Sequence, residues 1–357
     1  MRRTAVMILP TYRFNPYQRL LGAALERQGL DVTVVGDWPR RTAILGAWQA
    51  NGRPEIVHLH WIHDFLGGSR GRPSRRNVRW FDWQLRILRM RGVRIVWTVH
   101  NLKGHEGQGD AREIDAHKRL IERCDAIIVH CAKAREMLID MYRPSEAARR
   151  HIRVVAHGSY VGHYATDLPR DRCREELELP ADGRIFAFVG AIRGYKNVGE
   201  LLDAFMSLDE VGANDRLVVA GMPLPKRLGK ELERLADGDP RIVLRLGRQT
   251  EEELSVILRA ADVAVTPFRD ILTSGSAILA LSHGRPVIAP AMGCLPQTLP
   301  EEASILYPPD APDGLAEAMR AALDADLPAM GDAALEDAKR LDWDTIAAET
   351  AELYRGT

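Results

Sequence analysis

Twelve short apolar runs punctuate this chain, and stretches of helical periodicity separate most of them. They cover residues 4–9, 31–35, 56–60, 94–99, 126–130, 153–156, 185–190, 216–220, 242–246, 262–266, 286–289 and 304–307. Strands alternating with helices are the pattern of βαβ units and of parallel sheets. Twelve strands are too many for one comfortable doubly wound sheet. At 357 residues the chain also exceeds the size at which single cores usually stop growing. The polar stretch 164–183, rich in Asp, Arg and Pro, is the natural joint. The expectation is an α/β protein of two Rossmann-like domains, residues 1–163 and 164–342. Facing each other, they would place ligands in a cleft outside the carboxyl ends of the strands.

Charge is unevenly spread. Lys plus Arg equals Asp plus Glu, 49 of each, yet residues 1–165 carry a net charge of about +13 and the remainder about −13. The excess is densest from Arg70 to Arg94, where nine arginines meet one acid, Asp82. Trp80, Phe81 and Trp83 lie among them, and Leu85, Ile87, Leu88 and Met90 follow at roughly helical spacing. A basic helix bearing Trp suits an anionic membrane surface. A solvated arginine face is the plainer alternative. Nucleic acid fits less well, because no recognition motif accompanies the arginines and the acidic second half would repel a duplex. No apolar run approaches the roughly 20 residues that span a bilayer. The start, Met1-Arg2-Arg3 and a short apolar run closed by Pro10, reads as a first buried strand rather than a signal peptide. Cys124, Cys131, Cys173 and Cys294 form no Cys-x-x-Cys pair, so no zinc site is suggested.

Chemistry concentrates where strands end. The first strand runs into Pro10-Thr11-Tyr12-Arg13-Phe14-Asn15-Pro16-Tyr17, a polar and constrained loop. The third ends His58-Leu59-His60-Trp61 and continues to His63-Asp64. His58 and His60 alternate, so they share a face, but no third metal ligand is evident beside them. The fourth passes directly into His100, Asn101, Gly104, His105 and Glu106. A carboxylate beside histidines in such a loop is a credible general base. In the second half, the turn from Gly190 to Asn197 offers Arg193 as a forked donor and Lys196 as a point charge. Thr273-Ser274-Gly275-Ser276 opens an apolar helix with hydroxyls, a glycine and free N–H groups at its positive end. Gly-x-Gly-x-x-Gly and the P-loop pattern are both absent, which argues against NAD enzymes and P-loop NTPases.

These blocks resemble the nucleotide-sugar glycosyltransferases of the GT-B fold. The likeness rests on Gly190…Arg193…Lys196, Val219-Ala220-Gly221, Leu246-Gly247, Thr250 to Leu254, Gly284-Arg285-Pro286-Val287 and the closing Trp343-Asp344-Thr345. Asn15-Pro16-Tyr17, His58 to Trp61, His100-Asn101, His157-Gly158, Arg193 to Lys196 and Ser274-Gly275-Ser276 look most like the β-mannosyltransferases of xanthan-type exopolysaccharide assembly. The resemblance implies a donor domain with Arg193, Lys196, Gly221, Leu246, Thr273, Ser274, Gly275 and Ser276 around the nucleotide sugar. It implies an acceptor domain presenting Asn15, Tyr17, His60, Trp61 and Asn101, with a final helix, 343–357, crossing back to it. The implied reaction moves a hexose to a polyprenyl-diphosphate-linked oligosaccharide, with GDP-mannose the favoured donor and a UDP-sugar the alternative. Neither metal nor organic cofactor is called for, and the implied place is the cytoplasmic face of the plasma membrane. Glu106 is nominated as base, His105 or His100 as its orienting partner, and Asp64 as its rival. Many retaining relatives carry two glutamates eight positions apart near this helix; here Ile271 and Leu279 stand at those positions, so the sugar and ribose contacts differ. Two alternatives bind the same donor: a GT-B-type epimerase and a non-catalytic nucleotide-sugar-binding subunit.

Overall fold

The computed structural model describes residues 3–12, 15–36, 43–67, 73–104, 110–164 and 168–356. The chain forms two compact units, one of residues 1–158 with 341–357, the other of residues 159–340. The joint thus lies between Gly158 and Ser159 rather than at 163/164.

Each unit is built on one six-stranded sheet with parallel pairing. The first contains β1 (Ala5–Leu9), β2 (Asp31–Val34), β3 (Ile56–Leu59), β4 (Arg94–Thr98), β5 (Ala126–Val129) and β6 (Ile152–Val154), in the order β2-β1-β3-β4-β5-β6. The second contains β7 (Ile185–Val189), β8 (Arg216–Gly221), β9 (Ile242–Leu246), β10 (Val263–Val265), β11 (Val287–Pro290) and β12 (Ser304–Tyr307), in the order β12-β11-β10-β7-β8-β9. All twelve apolar runs therefore form strands, with ends shifted by a residue or two. Central strands are covered on both faces, so every residue of β3, β5 and β7 is buried. The edge strand β2 alternates exposed and half-buried residues instead.

Helices complete each core. In the second unit Leu201 and Phe205 of the helix Val198–Met206 pack with Phe186, Phe188, Leu217 and Val219 of the sheet. In the first, Leu21 and Leu25 of the helix Tyr17–Arg27 pack with Ile346, Ala351 and Tyr354 of the helix Trp343–Arg355 over Ile8, Val96 and Ile128. The end of the chain is thus core to the unit that begins it. Asp342 starts that last helix by accepting the N–H groups of Asp344 and Thr345. Its other end is pinned by Tyr354, whose hydroxyl lies 2.6 Å from Nδ1 of the buried His58, while His58 Nε2 lies 2.7 Å from Thr98 Oγ1.

Strand order reverses between β1 and β3 in the first unit and between β7 and β10 in the second. Loops leaving the carboxyl ends of such neighbours diverge to opposite faces and open a crevice. Residues 10–12 and 60–62 follow β1 and β3 directly, and the loops carrying Lys196 and Ser276 leave β7 and β10.

Tyr354→Phe keeps the ring and removes the hydroxyl, leaving His58 Nδ1 buried without its partner. Chemical denaturation should show a loss of about 1–3 kcal/mol. An unchanged midpoint would show that this bond does not hold the last helix in place.

Candidate functional site

In the second unit, β7 ends at Val189 and the chain turns at Gly190, whose N–H donates to Ala220 O at 3.0 Å. A Cβ on Gly221 would lie 1.7 Å from Gly190 O, so the close approach of these two strand ends admits only glycine there. Gly221 O in turn accepts the N–H of Gly247 at 3.0 Å, which sets Leu246 beside Gly221 at the carboxyl end of β9. Past Gly190, Arg193 precedes a tight turn, Gly194–Lys196. Lys196 is carried back over Phe268, its Nζ 4.2 Å from the ring centre, and reaches Ser276 Oγ at 3.4 Å. Burial, aided by the neighbouring Arg193, pulls the Lys196 ammonium down to about 8.

Past β10, Ser274 caps the helix Gly275–Ser282, its Oγ accepting from Ala277 N at 3.1 Å and lying 3.3 Å from Ser276 Oγ. The N–H groups of the first turn have no intrahelical partner. Thr273 Oγ1 is buried beside them with no hydrogen-bond partner among the described residues. A cation, two hydroxyls and a positive helix end thus meet at one strand-order reversal, an arrangement chemically suited to a phosphate. Lys196, Ser274 and Ser276 are brought together; Gly221 and Leu246 sit on the strands beyond β7. Ile271 and Leu279 are both buried.

In the first unit the strand ends carry a buried histidine cluster. His58, His60, His100, His130 and His157 are all buried, and the Tyr17 ring packs edge-on against four of them, at 5.7 Å from His60, 5.0 Å from His100, 5.8 Å from His130 and 4.7 Å from His157. His60 Nδ1 and His100 Nε2 are 2.9 Å apart, and Trp61 stacks on His100 at 4.2 Å. Burial depresses every one of these imidazoles: His58 and His157 to about 3, His130 to about 4, His60 and His100 well below their ordinary value. All five are neutral at pH 7. Asn15 Oδ1 accepts the N–H of Tyr17 at 3.0 Å, opening the helix that carries that ring. Asn101 is half-buried next to His100.

Asp64 lies at the rim. Its Oδ2 accepts from the Tyr12 hydroxyl at 2.7 Å, and that hydroxyl is 3.0 Å from His63 Nε2. From the sequence, Tyr12 and His63 stood out only as parts of their polar loops, and His130 only as the end of an apolar run. Their signal was position: each follows a strand end, as His60 and His100 do. Glu113 was also missed, because it looks like an ordinary acid in a helix first turn. It is buried, bonds the N–H of Gly104, and burial pushes its carboxyl up. His105 and Glu106 lie outside the described residues. Among the described residues no group of three or more His, Cys, Asp or Glu could hold a metal ion.

Known proteins resemble this chain in sequence and in fold. Residues 183–325 match the family model described as glycosyl transferases group 1. The D-inositol 3-phosphate glycosyltransferase of Corynebacterium aurimucosum is 27% identical over 84% of this chain and 71% of its own length. The GDP-mannose:glycolipid 4-beta-D-mannosyltransferase of Xanthomonas campestris pv. campestris is 28% identical over 79% of this chain and 71% of its own. The solved structure of a sucrose-phosphate synthase from Thermosynechococcus elongatus superposes with a TM-score of 0.78 at 22% identity, covering 99% of this chain and 98% of that one. The fold is GT-B, two Rossmann-like domains.

Two expectations follow. Lys196→Ala should weaken binding of a nucleoside diphosphate by about 1.5–3 kcal/mol, the scale of a hydrogen bond to a charged group; unchanged affinity in calorimetry would remove Lys196 from the site. The histidine cluster sets an acid limit. Unfolded, these imidazoles protonate near 6.5; folded, those with the shallower depressions resist to about 3–4. Stability is therefore complete above pH 6.5 and is lost as pH falls from there toward 4, by up to about 1.4 kcal/mol per pH unit for each histidine. The melting temperature should be level from about pH 8 to 7 and drop steeply below 6.5. A level profile down to about pH 5 would contradict the cluster's burial.

Proposed function

We propose that this chain is a glycosyltransferase of the group 1 type, a reading supported by the family-model match and the GT-B fold, and that it moves a hexosyl unit from a nucleotide diphosphate sugar to a hydroxyl of a lipid-linked oligosaccharide during exopolysaccharide assembly. The observation that carries the reading is Lys196 Nζ beside Ser276 Oγ at the start of the helix Gly275–Ser282. A leaving diphosphate gains negative charge as the glycosidic bond breaks. A buried ammonium, first-turn N–H groups and the free Thr273 hydroxyl stabilise that charge where water screens it least. Binding a diphosphate also restores the proton affinity that burial takes from Lys196, since an adjacent anion favours the charged form.

GDP-mannose is the proposed donor. Its support is the similarity to the Xanthomonas mannosyltransferase together with the sequence blocks around the histidine cluster. Two apolar residues, Ile271 and Leu279, replace the glutamates of retaining relatives, which supports different handling of the sugar. An inverting transfer then needs a base for the acceptor hydroxyl. Glu106 is that base in this proposal, from its place two residues after Gly104. His100 cannot freely shuttle a proton, since Nε2 is committed to His60 and the ring lies under Trp61; it serves as a rigid support. Asp64 is the competing carboxylate, held by Tyr12. The acceptor's lipid anchor places the reaction at an anionic membrane surface, on its cytoplasmic side.

Glu106→Gln keeps shape and hydrogen-bonding reach but cannot take the proton. Transfer from GDP-mannose to a lipid-linked acceptor should fall by about 10²–10⁴ while GDP affinity survives. A large loss for Asp64→Asn with a mild one for Glu106→Gln would move the role to Asp64. Mild losses for both, with a product of retained anomeric configuration by NMR, would remove the protein base altogether.

A further inference from the structure

The helix Arg75–Met90 has one face in the core and one that is largely exposed. Val78, Phe81, Leu85 and Leu88 are buried, and Phe81 stacks on Phe65. Asp82, the helix's one acid, turns inward and binds Arg86 at 3.0 Å and Arg123 at 2.6 Å, with Arg119 at 3.7 Å. Those ion pairs hold the helix at a fixed rotation about its axis. The outward face then carries Trp80 and Trp83, which are 42% and 44% exposed, and Met90, which is 73% exposed. The two indoles lie one turn apart and stack on each other at 4.6 Å with a 15° tilt. Large apolar side chains exposed together along one helix face mark a contact surface.

Arginines flank this stripe. Arg76 lies one turn before Trp80, and Arg79 one turn before Trp83. Arg75 and Arg91 stand at the two ends of the helix, and all four are exposed. The acids on the neighbouring elements are engaged elsewhere: Asp110 with Arg112, Asp115 with Arg119, Asp125 with Arg89. Among the described residues none of Arg75, Arg76, Arg79 and Arg91 has an ion pair. Their charge is available to an outside partner.

We infer that the exposed face of Arg75–Met90 is a bilayer-docking surface, in which the Trp80–Trp83 pair and Met90 enter the headgroup region of an anionic leaflet and the four unpaired arginines bind its lipid phosphates. Indoles favour that depth because one edge is apolar and the N–H stays wet. Arginine suits it because its planar fork meets phosphate oxygens in pairs. The midline of the face is apolar, which fits a bilayer better than a duplex, whose charged backbone would leave the indoles unpaired. The inference rests on the lipid-linked acceptor reading for its purpose, but not for its geometry.

The test uses the full chain, without donor or acceptor, so docking and transfer succeed or fail separately. Vesicles of phosphatidylcholine with about one-third phosphatidylglycerol, and of phosphatidylcholine alone, are compared by flotation at low salt and at about 0.5 M salt. The wild-type protein should float with the anionic vesicles and be largely released by salt. Arg76→Glu/Arg79→Glu should weaken low-salt partitioning by at least about 25-fold, five-fold for each arginine, which is about 1 kcal/mol apiece. Trp80→Ala/Trp83→Ala should weaken it by about tenfold and abolish the salt-resistant fraction. Circular dichroism melts identify any variant that has unfolded, and the other double variant then decides. Equal binding to both vesicle types overturns the proposal. So does a folded tryptophan variant that floats like wild type, or displacement of the wild type from anionic vesicles by duplex DNA at equal phosphate concentration.

Discussion

Parallel pairing of β7 with β10, Phe186 against Val263 and Ala187 against Ala264, is the contact on which the proposed donor site depends. The two strands lie far apart in the chain, and three connections run between them. Once paired, their carboxyl ends are neighbours, and the loops that leave them meet. Lys196 then reaches Ser276 across eighty positions of sequence. Nothing local in either loop requires this. The buried faces of β7 and β10 enforce it, because a one-residue slip would turn every side chain of a strand to the opposite face.

Desolvation gives the two units opposite chemical characters. In the second, burial leaves Lys196 a cation at neutral pH but an uneasy one, ready to gain from an anion. In the first, burial strips the charge from five histidines, four of which pack around the Tyr17 ring. His58 is hydrogen-bonded at both nitrogens, to Tyr354 and Thr98, while His60 Nε2 and His130 Nε2 are buried without a partner among the described residues. Buried polar atoms of that kind cost free energy unless a water or a ligand meets them. A hydroxyl-rich acceptor is chemically suited to do so.

The helix Arg75–Met90 shows how a charge count becomes a surface. Nine arginines between Arg70 and Arg94 read as basic whichever way the helix is rotated. The ion pairs of Asp82 with Arg86 and Arg123 choose the rotation, and with it which arginines are neutralised within the fold and which remain for a partner.

The sequence by itself determined the fold class, the twelve strands and the polar loops at their ends, because period, β-branching and turn chemistry are local properties. It also marked Lys196 and Ser274 to Ser276 as anion-competent, since a cation in a glycine turn and a capped helix start are recognisable in isolation. It could not find Tyr12 as the partner of Asp64, His130 within the histidine cluster, or Glu113 as a buried acid, since none stands out from its neighbours in the chain. It set the joint at 163/164, where composition turns polar, whereas packing puts it at 158/159; the return of the last helix to the first unit was expected from the resemblance. Strand order decided all of these. Which strands neighbour each other is settled by the burial of both faces of each sheet, a property of the assembled layers that no single segment carries.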